Sequence, residues 1–328
     1  MIHNSKFKIV TIGGGTGSFT FLTELKELPN VEITAVVAMS DSGGSTGKLR
    51  VDMGVLPAGD VRQALVALSR SPKKLRELFT YRYDVGTMMG HTFGNLFLST
   101  LEKITGSMEE AITQAGKILN VKGRIYPVTL TNHQLIVEMP NGEIIHGEGS
   151  IDTRYIAGYS SISLTDSPIL NPNVARAIKE ADMVIIAPGN FYCSIIPNIL
   201  VPGLKEVLQT SKAKKVLIAN LLVKKGHTDG FTVAKFLTEL QSISDGFVPD
   251  TVVYNTRMKV THELVELHKR EIVQLGDVSE LEKEYGIEFI GADIVSDTIV
   301  IKNKVDTIKR SLLRHDAKKV LKLLGLEK

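Results

Sequence analysis

Short, almost continuous apolar runs alternate along the chain with segments in which apolar residues recur every three or four positions. The apolar runs predict buried strands over residues 7–12, 31–39, 183–187, 215–222 and 251–255, and an edge strand over 289–294. The periodic segments between them predict helices. Strands that alternate with helices at this spacing indicate a mostly parallel sheet with helices on both faces. The pattern therefore predicts an α/β, Rossmann-like doubly wound fold.

From residue 124 the apolar pattern changes to a period of two. It predicts strands over 124–130, 134–139 and 143–147, and an Asn-Gly pair at 141–142 joins the last two as a hairpin. We expect a small β-rich excursion near 124–150 beside the main sheet. No Pro/Ser-rich linker interrupts the first half of the chain, so we predict a single domain over 1–328, ending in a basic helix near 315–326.

The first predicted strand ends in a glycine-rich turn that opens the next helix. The turn consists of Gly13, Gly14, Gly15, Thr16 and Gly17. Glycines let the backbone approach a ligand closely, and the N–H groups at a helix start favour an anion. The spacing departs from the dinucleotide fingerprint, which has a third glycine where this chain has a serine. We predict a phosphate cradle, and a plain tight turn is the alternative.

The second predicted strand leads into a polar loop with the sequence SDSGGSTGKLR. Neighbouring parallel strands end at one crevice, so Asp41 is expected beside the glycine turn, where a ribose-binding carboxylate usually lies. The loop residues predicted to line the same crevice are Ser42, Gly43, Gly44 and Ser45. The loop is not a Walker A motif, because Ser42 replaces its first glycine and Leu49 its final hydroxyl residue. We therefore exclude a P-loop NTPase.

Further candidate ligand contacts follow along the chain. They are Asp60 and Arg62 at a predicted helix start, His91 and Asn95 in a glycine-flanked turn, Gly189 and Asn190 after the strand 183–187, and Asn220 near the end of the strand 215–222. Arg62 could bridge phosphates as a planar, bidentate donor, and a surface ion pair is its alternative. His91 is expected to donate a hydrogen bond to ligand or backbone.

Metal-binding and catalytic patterns are weak. His262-Glu263 begins a zincin-like motif, but residue 266 is glutamate instead of histidine. His227, His262, His268 and His315 are predicted to be solvated or capping residues. The single cysteine, Cys193, excludes an intramolecular disulfide, and its apolar neighbours predict a buried, inert thiol. We therefore predict neither a metal site nor a catalytic residue.

Composition narrows the class of protein. The 328 residues are 43% hydrophobic and 23% charged, which is ordinary for a globular protein, and no apolar run reaches the ~18 residues of a membrane span. We expect a cytoplasmic protein without membrane insertion. Residues 301–328 hold nine Lys and Arg against three Asp and Glu. The helical spacing of the apolar residues there predicts a solvated helix face, so no nucleic-acid partner is expected.

Four motifs together resemble a known family. They are GGGTGS from Gly13, SDSGGSTGKLR from Ser40, LPAGDVR from Leu56 and GHTFGNL from Gly90, and the resemblance extends to Arg314-His315-Asp316. They are similar to the YvcK/CofD-like family, and within it to the YvcK branch of gluconeogenesis factors. The resemblance implies a Rossmann-like core that holds a nucleotide diphosphate, with the glycine turn, the 41–45 loop, Asp60, Arg62 and the 90–95 turn at matching positions.

The YvcK resemblance implies a UDP-sugar ligand, of the UDP-N-acetylglucosamine type, and no other cofactor. It implies a cytoplasmic regulator of cell shape and cell-wall synthesis under gluconeogenic growth, without its own catalysis. Homo-oligomers and protein partners in cell-wall synthesis are left open. The CofD branch implies the alternative, a transferase that moves a phospholactyl-type group from a nucleotide-activated donor to a deazaflavin acceptor. An NAD-dependent oxidoreductase, a third hypothesis, rests on the opening turn alone.

The chain departs from the YvcK pattern at two places. It has PGNFYCS from Pro188 where the branch usually has PGSLYTS, and NLLVKKGHT from Asn220 where the branch usually ends in QPGET. The second departure places His227 where glutamate is usual, next to Lys224 and Lys225. We therefore expect a more cationic rim around the ligand.

Overall fold

The computed structural model describes residues 6–257, 271–297 and 313–327. Its main strands are β1 (Phe7–Ile12), β2 (Val31–Val37), β3 (Arg124–Pro127), β7 (Met183–Ile186), β8 (Lys214–Ile218), β9 (Thr251–Asn255) and β10 (Glu288–Ala292). They form one sheet in the order β10-β9-β8-β7-β1-β2-β3, and each neighbouring pair is parallel. The predicted α/β, doubly wound architecture is confirmed.

Helices cover both faces of this sheet. They are α1 (Gly15–Leu25), α2 (Gly44–Met53), α3 (Gly59–Leu68), α4 (Lys73–Thr80), α5 (Phe93–Thr105), α6 (Met108–Ile118), α7 (Glu148–Thr153), α8 (Pro172–Lys179), α9 (Ile196–Ile199), α10 (Leu204–Thr210), α11 (Val233–Ile243), α12 (Ser279–Tyr285) and α13 (Ala317–Leu323). A short π-helix over Phe191–Ile195 precedes α9. Among the described residues, no single helix is both long and apolar enough to cross a bilayer, although the bent pair Phe191–Ile199 and Leu204–Thr210 passes that test together.

Successive strand residues point into two separate cores. On β1, Ile9 belongs to the core under α1, α3, α5, α6 and α13, and Val10 belongs to the opposite core under α8, α10 and α11. Ile185 and Ile186 on β7 divide in the same way. Because both faces of the sheet are buried, its strands carry continuous apolar runs instead of alternating ones.

The strand order places a topological switch point beside β1. The chain builds β1, β2 and β3 outward in one direction, and then returns to add β7 on the other side of β1. In sheets of this kind, ligands bind in the crevice outside the carboxyl ends of the strands at that point. The loops that follow β1, β2 and β7 therefore meet at this crevice.

A three-stranded antiparallel sheet forms the β-rich excursion. It consists of β4 (Leu135–Glu138), β5 (Ile144–His146) and β6 (Ser161–Leu164), in the order β5-β4-β6. The strand predicted over 124–130 lies instead in the main sheet as β3, where Ile125 pairs with Ala35 of β2. The third strand, β6, comes from residues for which no strand was predicted. Alternation of apolar and polar residues indicates a strand, but it does not identify the neighbouring strand with which that strand pairs.

Two short helices were missed, and the basic helix was predicted. Segments 44–53 and 148–153 are helical in the structure, although neither carries an apolar stripe: Leu49 is the one buried large apolar residue of α2, and Ile151 that of α7. The basic helix is present as α13. It buries Val320 and Leu321 and exposes Lys318, as a solvated helix face would.

Candidate functional site at the switch point

Two glycines of the turn after β1 lie in close contact with neighbouring segments. The Gly15 N–H donates to Asp60 Oδ1 at 2.9 Å, and Asp60 lies in the first turn of α3. A Cβ atom at Gly14 would lie 1.8 Å from Asp60 Oδ2, and one at Gly17 would lie 1.8 Å from the Pro188 carbonyl oxygen. Packing against backbone therefore requires glycine at position 17, whereas a side chain at position 14 would displace the Asp60 carboxylate.

Gly15 is different, because space is open beside it. Its φ is +65°, and the nearest atom to an added Cβ would be Ser194 Oγ at 3.9 Å. The residue starts α1, whose N-cap, Gly14, makes no side-chain capping bond. The Asp60 carboxylate holds the first N–H of α1, and the open space lies beside it; the start of a helix is a place that favours an anion.

Asp41 lies next to this turn, at the carboxyl end of β2. Its Oδ1 accepts the Gly43 N–H at 2.8 Å, and its Oδ2 is so close to α3 that a Cβ at Gly59 would lie 2.6 Å from it. Asp41 and Asp60 thus come from consecutive loops to the same end of the sheet. The switch-point geometry predicts this convergence from sequence.

The loop from Ser42 to Ser45 contacts the β-rich excursion. The Ser42 hydroxyl accepts the Gly149 N–H at 3.0 Å, and a Cβ at Gly149 would lie 3.0 Å from the Gly43 Cα. Gly44 is the first residue of α2, and Ser45 is buried in its first turn. The segment is therefore half loop and half helix, and it is partly covered by α7.

Four predicted contacts form a network beneath α2. His91 Nδ1 lies 3.2 Å from Ser45 Oγ, Asn95 Nδ2 donates to Ser45 Oγ at 3.3 Å, and Arg62 Nε donates to Asn95 Oδ1 at 2.8 Å. Arg62 is 7% exposed and Asn95 3% exposed. The alternative of a surface ion pair for Arg62 is therefore wrong. Arg62 and Asn95 support the crevice from within, and His91 is the half-buried member.

The turn after β7 meets the turn after β1. Asn220 Nδ2, beyond β8, donates to the Gly189 carbonyl at 2.9 Å, and Asn190 Nδ2 donates to Asp152 Oδ1 at 2.5 Å. A Cβ at Gly189 would lie 3.5 Å from the Gly14 carbonyl oxygen. The three predicted residues are thus at the switch point, and Asn190 and Asn220 fix the shape of the turn.

Sequence reasoning missed the acids of α7. The Glu148 carboxyl group contacts Asp41, and burial together with the charges of Asp41, Asp60 and Asp152 raises the pKa of Glu148 well above its usual value. Nothing in the sequence indicated this contact, because α7 belongs to the excursion and is about a hundred residues from Asp41 along the chain.

Arg50 of α2 was also missed as a structural residue. Its guanidinium donates to the Asp41 carbonyl at 2.9 Å, to Asn132 Oδ1 at 2.6 Å and to the His133 carbonyl at 2.7 Å. It therefore ties the loop after β2 to the start of the excursion. Its place in the SDSGGSTGKLR motif was the available signal.

Glu148, Asp152 and Cys193 lie close enough together to be considered as metal ligands. One ligand atom from each lies within 4.8 Å of the others. Asp152 Oδ1, however, already accepts from Lys224 Nζ and Asn190 Nδ2. Burial raises the pKa of the Cys193 thiol, which disfavours the thiolate that would bind a metal. These groups do not fit a cation, and the prediction of a buried Cys193 is confirmed.

The predicted cationic rim is wrong for one of its three residues, His227. His227 is 2% exposed, and burial lowers its pKa to about 4, so its ring is neutral at pH 7. Lys224 is paired with Asp152, and Lys225 is exposed. His315 is also buried instead of solvated: its Nε2–H donates to the Ala219 carbonyl at 2.9 Å. His262 and His268 lie outside the described residues.

Known structures resemble this fold over nearly its whole length. A crystal structure of a UPF0052-family protein from Bacillus halodurans matches with a TM-score of 0.88 and 33% sequence identity, covering 98% of this chain and 99% of that one. A second crystal structure of the same protein matches with a TM-score of 0.85.

Sequence comparisons agree with this resemblance. The chain is 36% identical over 324 residues to the gluconeogenesis factor of Bacillus subtilis, covering 97% of both proteins. It is 41% identical over 265 residues to a relative from Thermotoga maritima, covering 80% of this chain and 83% of the relative. A family profile described as 2-phospho-L-lactate transferase CofD matches residues 9–295. The chain therefore belongs to the CofD/YvcK family.

Proposed function

We propose that this protein binds a nucleotide sugar of the UDP-N-acetylglucosamine type and acts as a cytoplasmic regulator of cell shape and cell-wall synthesis during gluconeogenic growth. The observation that carries the proposal is the open space at Gly15, beside Asp41. A diphosphate would lie at the N-terminus of α1, and a ribose hydroxyl would donate to the Asp41 carboxylate. The names of the Bacillus subtilis and other relatives support the gluconeogenic context.

The chemistry of the crevice favours binding over catalysis. The one Ser–His contact described there joins Ser45 to His91, but Ser45 is 6% exposed and its Oγ also lies within hydrogen-bond distance of Asn95 Nδ2 and the Thr92 N–H. A nucleophile must reach its substrate, and this hydroxyl is enclosed. The Cys193 thiol is buried as well.

Isothermal titration tests this proposal. UDP-N-acetylglucosamine should bind the purified protein, and GDP and NAD serve as comparators that share the diphosphate but differ in the rest of the ligand. Preferential binding of the UDP-sugar supports the assignment. The absence of detectable binding at millimolar ligand would overturn it. Tighter binding of GDP or NAD than of the UDP-sugar would show that the site prefers a different nucleotide.

A second candidate function follows from the CofD profile over residues 9–295. It is transfer of a phospholactyl-type group from a nucleotide-activated donor to a deazaflavin acceptor. That reaction needs an acceptor pocket and a divalent cation, which prefers several oxygen ligands. Asp41 and Glu148 supply neighbouring carboxylates at the crevice, and Asp41 Oδ1 already accepts the Gly43 N–H. Magnesium-dependent transfer to a deazaflavin, followed by chromatography, would favour this candidate over the regulator.

A further inference from the structure

The β-rich excursion packs closely against the loop that carries Asp41. Besides the bond from the Gly149 N–H to Ser42 Oγ, a Cβ at Gly147 would lie 2.8 Å from that same oxygen. Glycines on both sides of Glu148 therefore let the two backbones approach closely. This approach brings the Glu148 carboxyl group, at the start of α7, against Asp41.

We propose that Glu148 is a positioning residue of the ligand crevice: in its protonated form it donates a hydrogen bond to Asp41 and holds that carboxylate toward the ligand. The proposal rests on the proposed function, because it takes Asp41 as a ligand contact. It adds to that function a pH-dependent control of affinity, exerted by a residue from a different part of the fold.

The charges around Glu148 explain why it keeps a proton. Asp41 and Asp60 face it from the loop after β2 and the start of α3, Asp152 faces it from α7, and Cys193 from the π-helix. Lys224 is the nearby cation, and it bonds to Asp152. Two carboxylates in contact cannot both ionise cheaply, so the proton stays on Glu148, whose pKa is raised.

The position of Asp41 shows what that proton does. Its Oδ1 accepts the Gly43 N–H at 2.8 Å, and its Oδ2 faces Gly59 at the start of α3. A second bond, from Glu148, fixes the carboxylate on the side of the excursion. When Glu148 ionises, this bond becomes a repulsion, and a diphosphate meets one more negative charge. Nucleotide-sugar affinity therefore falls as the pH rises.

The folding free energy should change in the same direction. The pKa of Glu148 is raised in the folded state, so its stabilising contribution is complete below the ordinary carboxyl pKa and is lost as the pH rises through the raised value. This readout needs no ligand. It therefore separates the state of Glu148 from the identity of the ligand.

Two variants and one control test the proposal. Glu148→Gln keeps an N–H donor that cannot ionise, Glu148→Ala removes the contact, and Glu143→Gln changes an exposed carboxylate on the same excursion, paired with Arg154. Titration with UDP-N-acetylglucosamine at pH values from below to above the raised pKa of Glu148 should show wild-type affinity falling about tenfold, Glu148→Gln constant, and Glu148→Ala about tenfold weaker at the low end. Glu143→Gln should follow the wild type.

Urea unfolding of the ligand-free proteins completes the test. Wild-type stability should fall relative to Glu148→Gln as the pH rises, and an identical pH dependence would overturn the proposal. Wild-type affinity in Glu148→Ala would overturn it as well. If no chain binds the nucleotide sugar, the proposed function fails, and the unfolding data still decide whether Glu148 holds a proton against Asp41.

Discussion

The two turns at the switch point have similar places in the chain and different structures. The β1 turn (residues 13–17) and the β7 turn (residues 188–190) each follow an apolar strand and precede a helix. The β1 turn is followed by the regular helix α1. The β7 turn is followed by a π-helix: the Ile195 N–H donates to the Asn190 carbonyl five residues earlier, and the N–H groups of Cys193 and Ser194 donate to the same oxygen.

The difference lies in what holds each turn in place. The β1 turn is held from outside, by the Asp60 carboxylate, and Gly15 keeps open space beside it. The β7 turn is held by amide side chains, Asn190 to Asp152 and Asn220 to Gly189, and it packs against the β1 turn. The β7 turn therefore supports the β1 turn, which keeps open space at Gly15.

The largest expected effect is that of Gly17→Ala. A Cβ at this position would lie 1.8 Å from the Pro188 carbonyl oxygen, so the β7 turn would have to move. The free energy of unfolding should fall by about 3 kcal/mol or more, measured by urea denaturation. Gly15→Ala is the matched control, because only its positive φ is strained, at a cost of about 1–2 kcal/mol. Equal losses would contradict the close contact between the turns.

Asp41→Asn should weaken binding without unfolding the protein. Loss of a charge-assisted hydrogen bond costs about 1.5–3 kcal/mol, so the affinity for UDP-N-acetylglucosamine should fall roughly tenfold to a hundredfold in calorimetric titration. The melting temperature of the ligand-free protein should not fall, because a carboxylate beside Glu148 is removed. Asp52→Asn, at an exposed position of α2, is the control. Unchanged affinity in Asp41→Asn would show that its carboxylate is not a ligand contact.

The smallest expected effect distinguishes the two lysines near the β7 turn. Lys224→Met removes the ion pair with Asp152. Because the Lys224 side chain is only 23% exposed, this change should lower the free energy of unfolding by about 1 kcal/mol. Lys225→Met, at an exposed position, should change it by less than about 0.5 kcal/mol. Thermal unfolding measures both. If Lys225→Met weakens nucleotide-sugar binding more than Lys224→Met does, Lys225 contributes to a cationic rim around the ligand.

The sequence by itself determined the main sheet and the position of its crevice. Continuous apolar runs indicate strands buried on both faces. The helices between them predict that the strands run parallel, and the structure confirms this. The glycine turn at Gly13 and the acid at Asp41 could be placed together, because parallel strands end on the same side. The burial of Cys193 and the apolar stripe of α13 were also predictable, because each is indicated by neighbouring residues in the sequence.

Only the tertiary structure decided which residues surround that crevice. Periodicity records which face of an element is buried, but not what covers it, so the contact between Glu148 and Asp41 left no trace in the sequence. The same limit explains β3, which joined the main sheet, and His227, which is buried although its neighbours are lysines. Contacts between segments far apart in the chain depend on how the backbones meet, and here glycines at 43 and 149 allowed them to meet closely.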